Sequence, residues 1–415
     1  METRFDVAVI GGGPAGMMAA GRAAEMGANV ILLEKNPELG RKLLITGGGR
    51  CNILNAEYDT HRLVDKYGKK GRSLFSCFSQ CDVTATVAFF EALGVRIKVE
   101  AEQRAFPTTE RALDVQRAMI RYITENKVTV RLNAVVKGIE QADGHITKIL
   151  LDDGELLANR VILATGGKSH PETGSTGEGF QWLKELGHTI IEPDPALVPI
   201  VLKEKWISDL AGISLRDVKL IVMQNGVRHD ARIGKMLFTH TGLSGPLVLN
   251  MSKNIGALLK NGNVTLALDL FPTMDTGAVD RMLLEHFEQK KNKMIKNNVG
   301  DLVQPRLAQI LLLLTGIDTE TPLYRLTRAD RIAFAKILKG LPMTVKELMG
   351  AEKAIVTGGG VSLNEVEFKT MRSKLFDNLY LAGDILDFDR PSGGFSLQIC
   401  WTTGFVAGTG AATSL

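Results

Sequence analysis

The chain has 415 residues, with Lys plus Arg at 50 and Asp plus Glu at 46, a formal net charge of +4. Apolar residues at 45% and charged residues at 23% are ordinary for a globular protein and exclude a disordered, collagen-like or coiled-coil chain. At about 100–200 residues per domain, this length predicts two to four domains.

Glycine is over-represented, at 43 residues, which predicts tight turns and close approaches of backbone to a ligand. The longest purely aliphatic run, residues 310–314, falls far short of the ~20 residues that span a bilayer, so no membrane partner is expected. The charged start of the chain does not read as a signal peptide. Cys51, Cys77, Cys81 and Cys400 match no zinc spacing and are too few for a disulfide scaffold, so no metal is assigned and a cytoplasmic setting with reduced thiols is expected.

In chain order, residues 5–10 form a short apolar run suited to a buried parallel strand. Gly11-Gly12-Gly13-Pro14-Ala15-Gly16 follows, then an alanine- and methionine-rich helix over residues 15–26 closed by Gly27. A second buried strand over residues 29–33 ends at Glu34. Further strands are predicted at 128–132, 146–151 and 161–164, with Asp152-Asp153-Gly154 as a hairpin turn and a helix at 115–125. Cys77 and Cys81, four residues apart, are expected on one buried helix face. From Pro193 to about Pro272 short strands at 198–202, 218–223 and 264–268 alternate with turns such as Asn225-Gly226, the pattern of a small barrel or sandwich. Residues 276–339 read as helical. The chain then returns to α/β style, with a strand at 379–382 and a small-residue helix at 400–412. The fold expected is α/β: a split Rossmann-like dinucleotide domain (1–192 and 353–415), an inserted β-rich domain (193–275 and 340–352) and a small helical domain (276–339).

Gly11-x-Gly13-x-x-Gly16 carries the chemistry. Gly11 permits the tight turn out of the strand, Gly13 lets backbone approach a pyrophosphate, and Gly16 permits close helix–strand packing. Pro14 and Ala15 open the helix whose N-terminus offers free N–H groups to phosphate. Glu34, 18 residues beyond Gly16, is placed to accept hydrogen bonds from an unphosphorylated ribose. Two distant segments favour FAD over NAD. Residues 161–167, with Ala164-Thr165-Gly166, and residues 379–384, with Gly383-Asp384, resemble paired elements of flavoproteins with two dinucleotide-binding domains. Gly394, Phe395 and Ser396 open the last helix, whose N–H groups are expected to face reduced flavin.

Here the chain resembles a family, the flavoproteins related to aminoacetone oxidase and to the bile-acid-inducible BaiN, long described as NAD(FAD)-utilising dehydrogenases. The matching stretches cover nearly the whole length. They include residues 40–52 (Gly-Arg-Lys-Leu-Leu-Ile-Thr-Gly-Gly-Gly-Arg-Cys-Asn), 173–177, 195–199, 237–246, 357–361 and 382–384. The resemblance implies a split FAD domain, a β-barrel-like domain and a helical domain. One departure lies before the last helix: the family usually has Gly-Glu followed by Asp-Val-Asp-Gly, whereas here Gly383-Asp384 keeps the carboxylate and Arg390-Pro391 alters the loop.

In the 40–52 loop, Gly40, Arg41 and Lys42, with Lys35 and Val135 nearby in the expected fold, are assigned to the cofactor, the two cations as pyrophosphate partners. Gly48 and Gly49 would let backbone lie against the isoalloxazine, and Arg50, Cys51 and Asn52 would sit near its ring edge. Cys51 has no redox partner, since Cys77 is 26 residues away. Arg50, His170 and His240 are the candidates for charge stabilisation or proton transfer.

The function expected is FAD-dependent hydride transfer to or from a small amine, ketone or enone. NAD(P)H enters at most as a transient reductant, because a second full fingerprint is absent. The alternatives are a flavin-dependent reductase of an RNA base, suggested by lysine clusters at 66–72 and 290–296, and a non-catalytic flavin-bound sensor. No oligomeric state is assigned.

Overall fold

The computed structural model describes residues 5–350, 352, 354 and 356–413; Lys353, the expected start of the returning segment, and Ala351 lie outside the described residues. The chain divides into two compact units, residues 1–196 with 351–415, and residues 197–350.

The first unit is built on a seven-stranded sheet. At its centre β1 (Phe5–Ile10) runs parallel to β2 (Val30–Leu33) on one side and to Ala158–Leu163 on the other. Thr129–Arg131 extends the sheet beyond β2, and Leu379–Leu381 joins beyond Ala158–Leu163, so the C-terminal segment does return to the N-terminal sheet. The central strands are covered on both faces, which is why their sequences are continuously apolar rather than alternating.

Helix α1 (Pro14–Glu25) packs on this sheet and against the last helix, Phe395–Thr413. That last helix begins at Phe395, in the Gly394-Phe395-Ser396 stretch expected to open it and five residues before the small-residue run from Cys400. It is buried nearly all round, so it shows no apolar stripe. Gly404 and Gly408, one turn apart, face α1; a Cβ there would lie 2.5 Å from the Ala15 carbonyl oxygen and 2.4 Å from that of Ala19. The two helices therefore meet backbone to backbone.

The hairpin turn at Asp152-Asp153-Gly154 joins His145–Leu151 to Gly154–Leu156, with Val136–Ala142 as a third strand. One expectation fails locally. The helix carrying Cys77 is a single turn, Phe75–Phe78, and Cys81 lies beyond its end. Both thiols are buried, but Cys77 is held by the Phe368 carbonyl at 3.0 Å rather than by a shared helix face.

The second unit contains a closed barrel of six strands, which decides between the barrel and sandwich readings. Ile200–Leu202 closes it by pairing with both Gly242–Ser244 and Leu341–Leu348. Ser214–Gln224 and Val227–Phe238 form its long hairpin, turning at Asn225-Gly226. The helices Thr276–Gln289, Pro305–Thr315 and Arg328–Lys339 do not form a core of their own. Val279, Leu283, Leu311 and Phe334 share one apolar cluster with the barrel residues Leu220, Leu266 and Met343.

Candidate functional site

The crossover from β1 to α1 has the geometry its glycines require. Gly11 sits at φ +107°, and a Cβ there would meet the Ala164 carbonyl oxygen at 2.6 Å. A Cβ on Gly16 would fall 1.8 Å from the Gly11 carbonyl oxygen, so the helix rests directly on the turn. Gly13 is the N-cap residue of α1; it offers no side-chain cap, and the space beside it is open. The first N–H groups of α1 are thus left for an anion.

At the end of β2 the Glu34 carboxylate is buried and closes this turn. One oxygen accepts from the Gly12 N–H at 2.7 Å, and the other from the Asn36 backbone N–H at 2.8 Å and its side-chain amide at 2.7 Å. Lys35 donates to Thr176 at 2.8 Å and Glu178 at 2.6 Å. Helix α2 (Arg41–Ile45) presents the two cations of the family-like loop. Arg41 donates to Asn36 Oδ1 at 3.1 Å. Lys42 donates to Ser169 Oγ at 2.6 Å and lies 3.7 Å from Asp384 Oδ2. Burial pushes the Lys42 ammonium below the usual lysine range, against the opposing pull of Asp384.

Asp384 sits between Lys42 and Arg390. Its Oδ1 accepts from Arg390 Nη1 at 2.7 Å and from Ser396 Oγ at 3.0 Å. Burial raises its pKa, but Arg390, then Lys42 and the Ser396 hydrogen bond, outweigh that and hold the carboxyl below the usual aspartate range. The group stays ionised.

These elements enclose one cleft with about 1160 Å³ of non-atom space, open solvent at its mouth included. Of the residues predicted for the cofactor, Gly11, Gly13, Pro14, Ala15, Glu34, Lys35, Gly40, Arg41, Lys42, Ala164, Thr165, Gly166, Asp384 and Ser396 line it. Gly16 and Gly383 support it from behind; a Cβ on Gly383 would press on Ala15 at 2.8 Å. Val135 does not line the cleft, whereas Ala134 and Val136 on either side of it do. Sequence reasoning also missed Asn36, Thr46, Trp182, Cys400 and the stretch Thr173, Gly174 and Ser175. The last stretch carried a signal, since its motif was recognised without being given a place.

The other predicted residues lie away from the cleft lining. Gly48 and Gly49 are exposed in left-handed backbone. Arg50 packs over the Phe106 ring at 4.1 Å and pairs with Glu100 at 2.5 Å and Glu110 at 3.3 Å, so its charge is already matched. The Asn52 amide bridges backbone, donating to Ala105 and Leu54 carbonyls at 3.1 Å and accepting from Gly394 N–H at 3.0 Å. Gly394 leaves room for none but itself, as a Cβ would meet Leu54 backbone at 2.3 Å, and Phe395 is buried behind it. His170 Nδ1 pairs with Glu172 at 2.8 Å. His240 is exposed in the second unit.

Cys51 is fully buried, and burial pushes its thiol up to about 12, which is incompatible with a thiolate at a ring edge. The same cause raises Cys77 to about 12 and Cys81 to about 11, and raises Cys400 as well. All four thiols are therefore expected to resist a disulfide exchange reagent in the native protein at neutral pH and to react at once in guanidinium. A fast native thiol would show that one of them is exposed and activated.

The model of the HI0933-like protein Rossmann domain matches residues 5–410. The chain belongs to this family. It is 30% identical over 410 residues to the 3-dehydro-bile acid delta(4,6)-reductase of Clostridium scindens, covering 98% of each chain. It is 27% identical over 403 residues to the ribosomal RNA dihydrouridine synthase of Escherichia coli, covering 96% of each. In fold it resembles 3-ketosteroid delta1-dehydrogenase from Sterolibacterium denitrificans, with a TM-score of 0.57 at 14% identity over 99% of this chain and 100% of that one. A flavocytochrome c3 fumarate reductase gives a TM-score of 0.56 at 18% identity, over 99% and 79%.

This member of the HI0933-like family is an FAD-dependent oxidoreductase. Its cleft fits the group: an uncapped helix N-terminus for the diphosphate, a buried carboxylate at the end of β2, and a ring of cations and Asp384 along the wall. The Thr165 hydroxyl, on the same wall, is buried without a hydrogen-bond partner among the described residues. No helix among the described residues is long and apolar enough to cross a membrane.

Proposed function

We propose that this protein reduces a carbon–carbon double bond conjugated to a carbonyl in a small apolar molecule, with NADH or NADPH as reductant. One observation carries the redox reading: the uncapped start of α1 opens into the cleft that also holds Glu34, Lys42 and Asp384. The substrate class rests on the full-length likeness to a reductase of 3-dehydro-bile acids. Bound FAD would supply two-electron hydride chemistry. Gly11, Gly13 and Gly16 would seat its diphosphate on α1, Glu34 would accept from the adenosine ribose, and Arg41 and Lys42 would balance the phosphate charge. In the net reaction the substrate gains a hydride at the β-carbon and a proton at the α-carbon, while NAD(P)H becomes NAD(P)⁺. The buried thiols agree with a reducing, cytoplasmic setting.

A second reading, reduction of a uracil in ribosomal RNA, is supported by the full-length likeness to two dihydrouridine synthases. Uracil C5=C6 is itself conjugated to a carbonyl, so the two readings share their chemistry. The exposed cations Arg62, Lys66, Lys69 and Arg72 on the segment after residue 60 suit a polyanion. The lysine clusters read from the sequence are partly neutralised, with Lys70 on Asp387 at 2.5 Å, Lys290 on Asp301 at 2.5 Å and Lys296 on Glu320.

The test is anaerobic. The purified protein is expected to be yellow, to bleach on NADH or NADPH, and to regain colour with a 3-oxo-4-ene steroid but not with a uridine-containing 23S rRNA fragment. Recolouring by the RNA alone would transfer the assignment to the second reading. Absence of bleaching by any donor would leave a flavin-bound protein without this activity.

A further inference from the structure

Arg390 lies in the loop between Asp384 and the last helix, and its side chain is fully buried. Nη1 donates to Asp384 Oδ1 at 2.7 Å, and Nη2 to the Thr357 carbonyl at 2.8 Å. Nε is buried without a partner among the described residues. A buried guanidinium is retained at a desolvation cost and needs a compensating anion. Here the anion is the carboxylate that lines the cleft.

The two oxygens of Asp384 are not equivalent. Oδ1 is saturated by Arg390 and Ser396. Oδ2 has Lys42 Nζ at 3.7 Å, beyond a hydrogen bond, and so keeps its lone pairs for a donor arriving in the cleft. We propose that Arg390 is a positioning residue: by gripping Oδ1 it holds the Asp384 carboxylate turned so that Oδ2 accepts from a hydroxyl of the bound cofactor's polyol chain. This inference rests on the FAD assignment above. The charged and titratable groups around Asp384 are Arg390 from its own loop, Lys42 from α2 and Cys400 from the last helix; Tyr67 faces Arg390. Burial keeps both Cys400 and Tyr67 neutral, so the two cations are what oppose the burial of the carboxylate.

The Asp384 pKa is lowered in the folded protein, so the ionised form persists above the ordinary aspartate value and is lost only as pH falls through the folded value. Without Arg390 the largest influence opposing burial is lost, so the pKa rises from its wild-type value. FAD affinity of the apoprotein, read by flavin fluorescence quenching, is expected to be flat between about pH 5 and 8 in the wild type. In Arg390→Met it is expected to be about tenfold weaker at the acid end and to recover as pH rises. Arg390→Lys should restore a flat profile, and in an Asp384→Asn background Arg390→Met should add nothing to the loss. A flat, wild-type profile in Arg390→Met overturns the proposal. So does unchanged affinity in Asp384→Asn, which is readable even if Arg390→Met fails to fold. A wild-type protein that takes up no FAD at any pH instead defeats the cofactor assignment itself.

Discussion

Glu34→Ala is expected to lower FAD affinity by roughly 10- to 100-fold, the worth of one or two hydrogen bonds to a charged acceptor. Flavin content after gel filtration and calorimetric titration of the apoprotein would measure it. The structure adds a second consequence. The carboxylate accepts from Gly12 N–H and twice from Asn36, and its removal orphans a backbone donor in the crossover turn. Unfolding of the apoprotein should therefore fall by about 1–3 kcal/mol as well. Glu34→Gln separates the two effects: it keeps the volume and one acceptor oxygen, but turns an amide towards a donor. Wild-type flavin affinity in Glu34→Ala would remove Glu34 from the cofactor site.

The largest stability effect is expected at the glycines between α1 and the last helix. In Gly404→Val and Gly408→Val, the new Cβ would lie 2.5 Å and 2.4 Å from backbone oxygens of α1. Backbone inside a helix cannot turn away as the tip of a side chain can. The helices must separate, and α1 carries the phosphate-binding turn at its N-terminus. Each variant should lose about 3 kcal/mol or more, at or beyond the upper end for core overpacking. Flavin should be released in parallel, because the displaced helix no longer meets Gly11. Denaturant midpoints with and without FAD would report this; a midpoint within 0.5 M of the wild type, as an order-of-magnitude bound of about 1 kcal/mol, would show that the helices can part without cost. Gly408→Ala, with the same Cβ and fewer further atoms, should fall between.

How far the sequence could be read depended on whether a residue's role is local. The run of residues 5–34 specifies strand, turn, helix, strand and acid through contacts close in the chain, and each stands where its pattern put it. The turn at Asn225-Gly226 and the hairpin at 152–154 are equally local, set by backbone that tolerates positive φ. Asp384 was found through a motif. Its meeting with Lys42, Arg390 and Cys400 was not, because the three reach it from separate places along the chain. Arg50 and Cys51 were placed by adjacency to glycines. The fold turns one towards Glu100 and Glu110 and buries the other, which spacing along the chain does not encode.

The sequence by itself determined the nucleotide crossover, the acid that ends β2, the return of the C-terminal strand and the β-rich insertion. These follow from periodicity, turn chemistry and the conformational freedom of particular glycines. Tertiary structure decided that the insertion closes as a barrel sharing one core with its helices, that Gly404 and Gly408 seat the last helix on α1, and that a buried arginine holds Asp384 charged. Such features arise where distant segments exclude water together, and desolvation and close packing depend on every neighbour at once rather than on order along the chain.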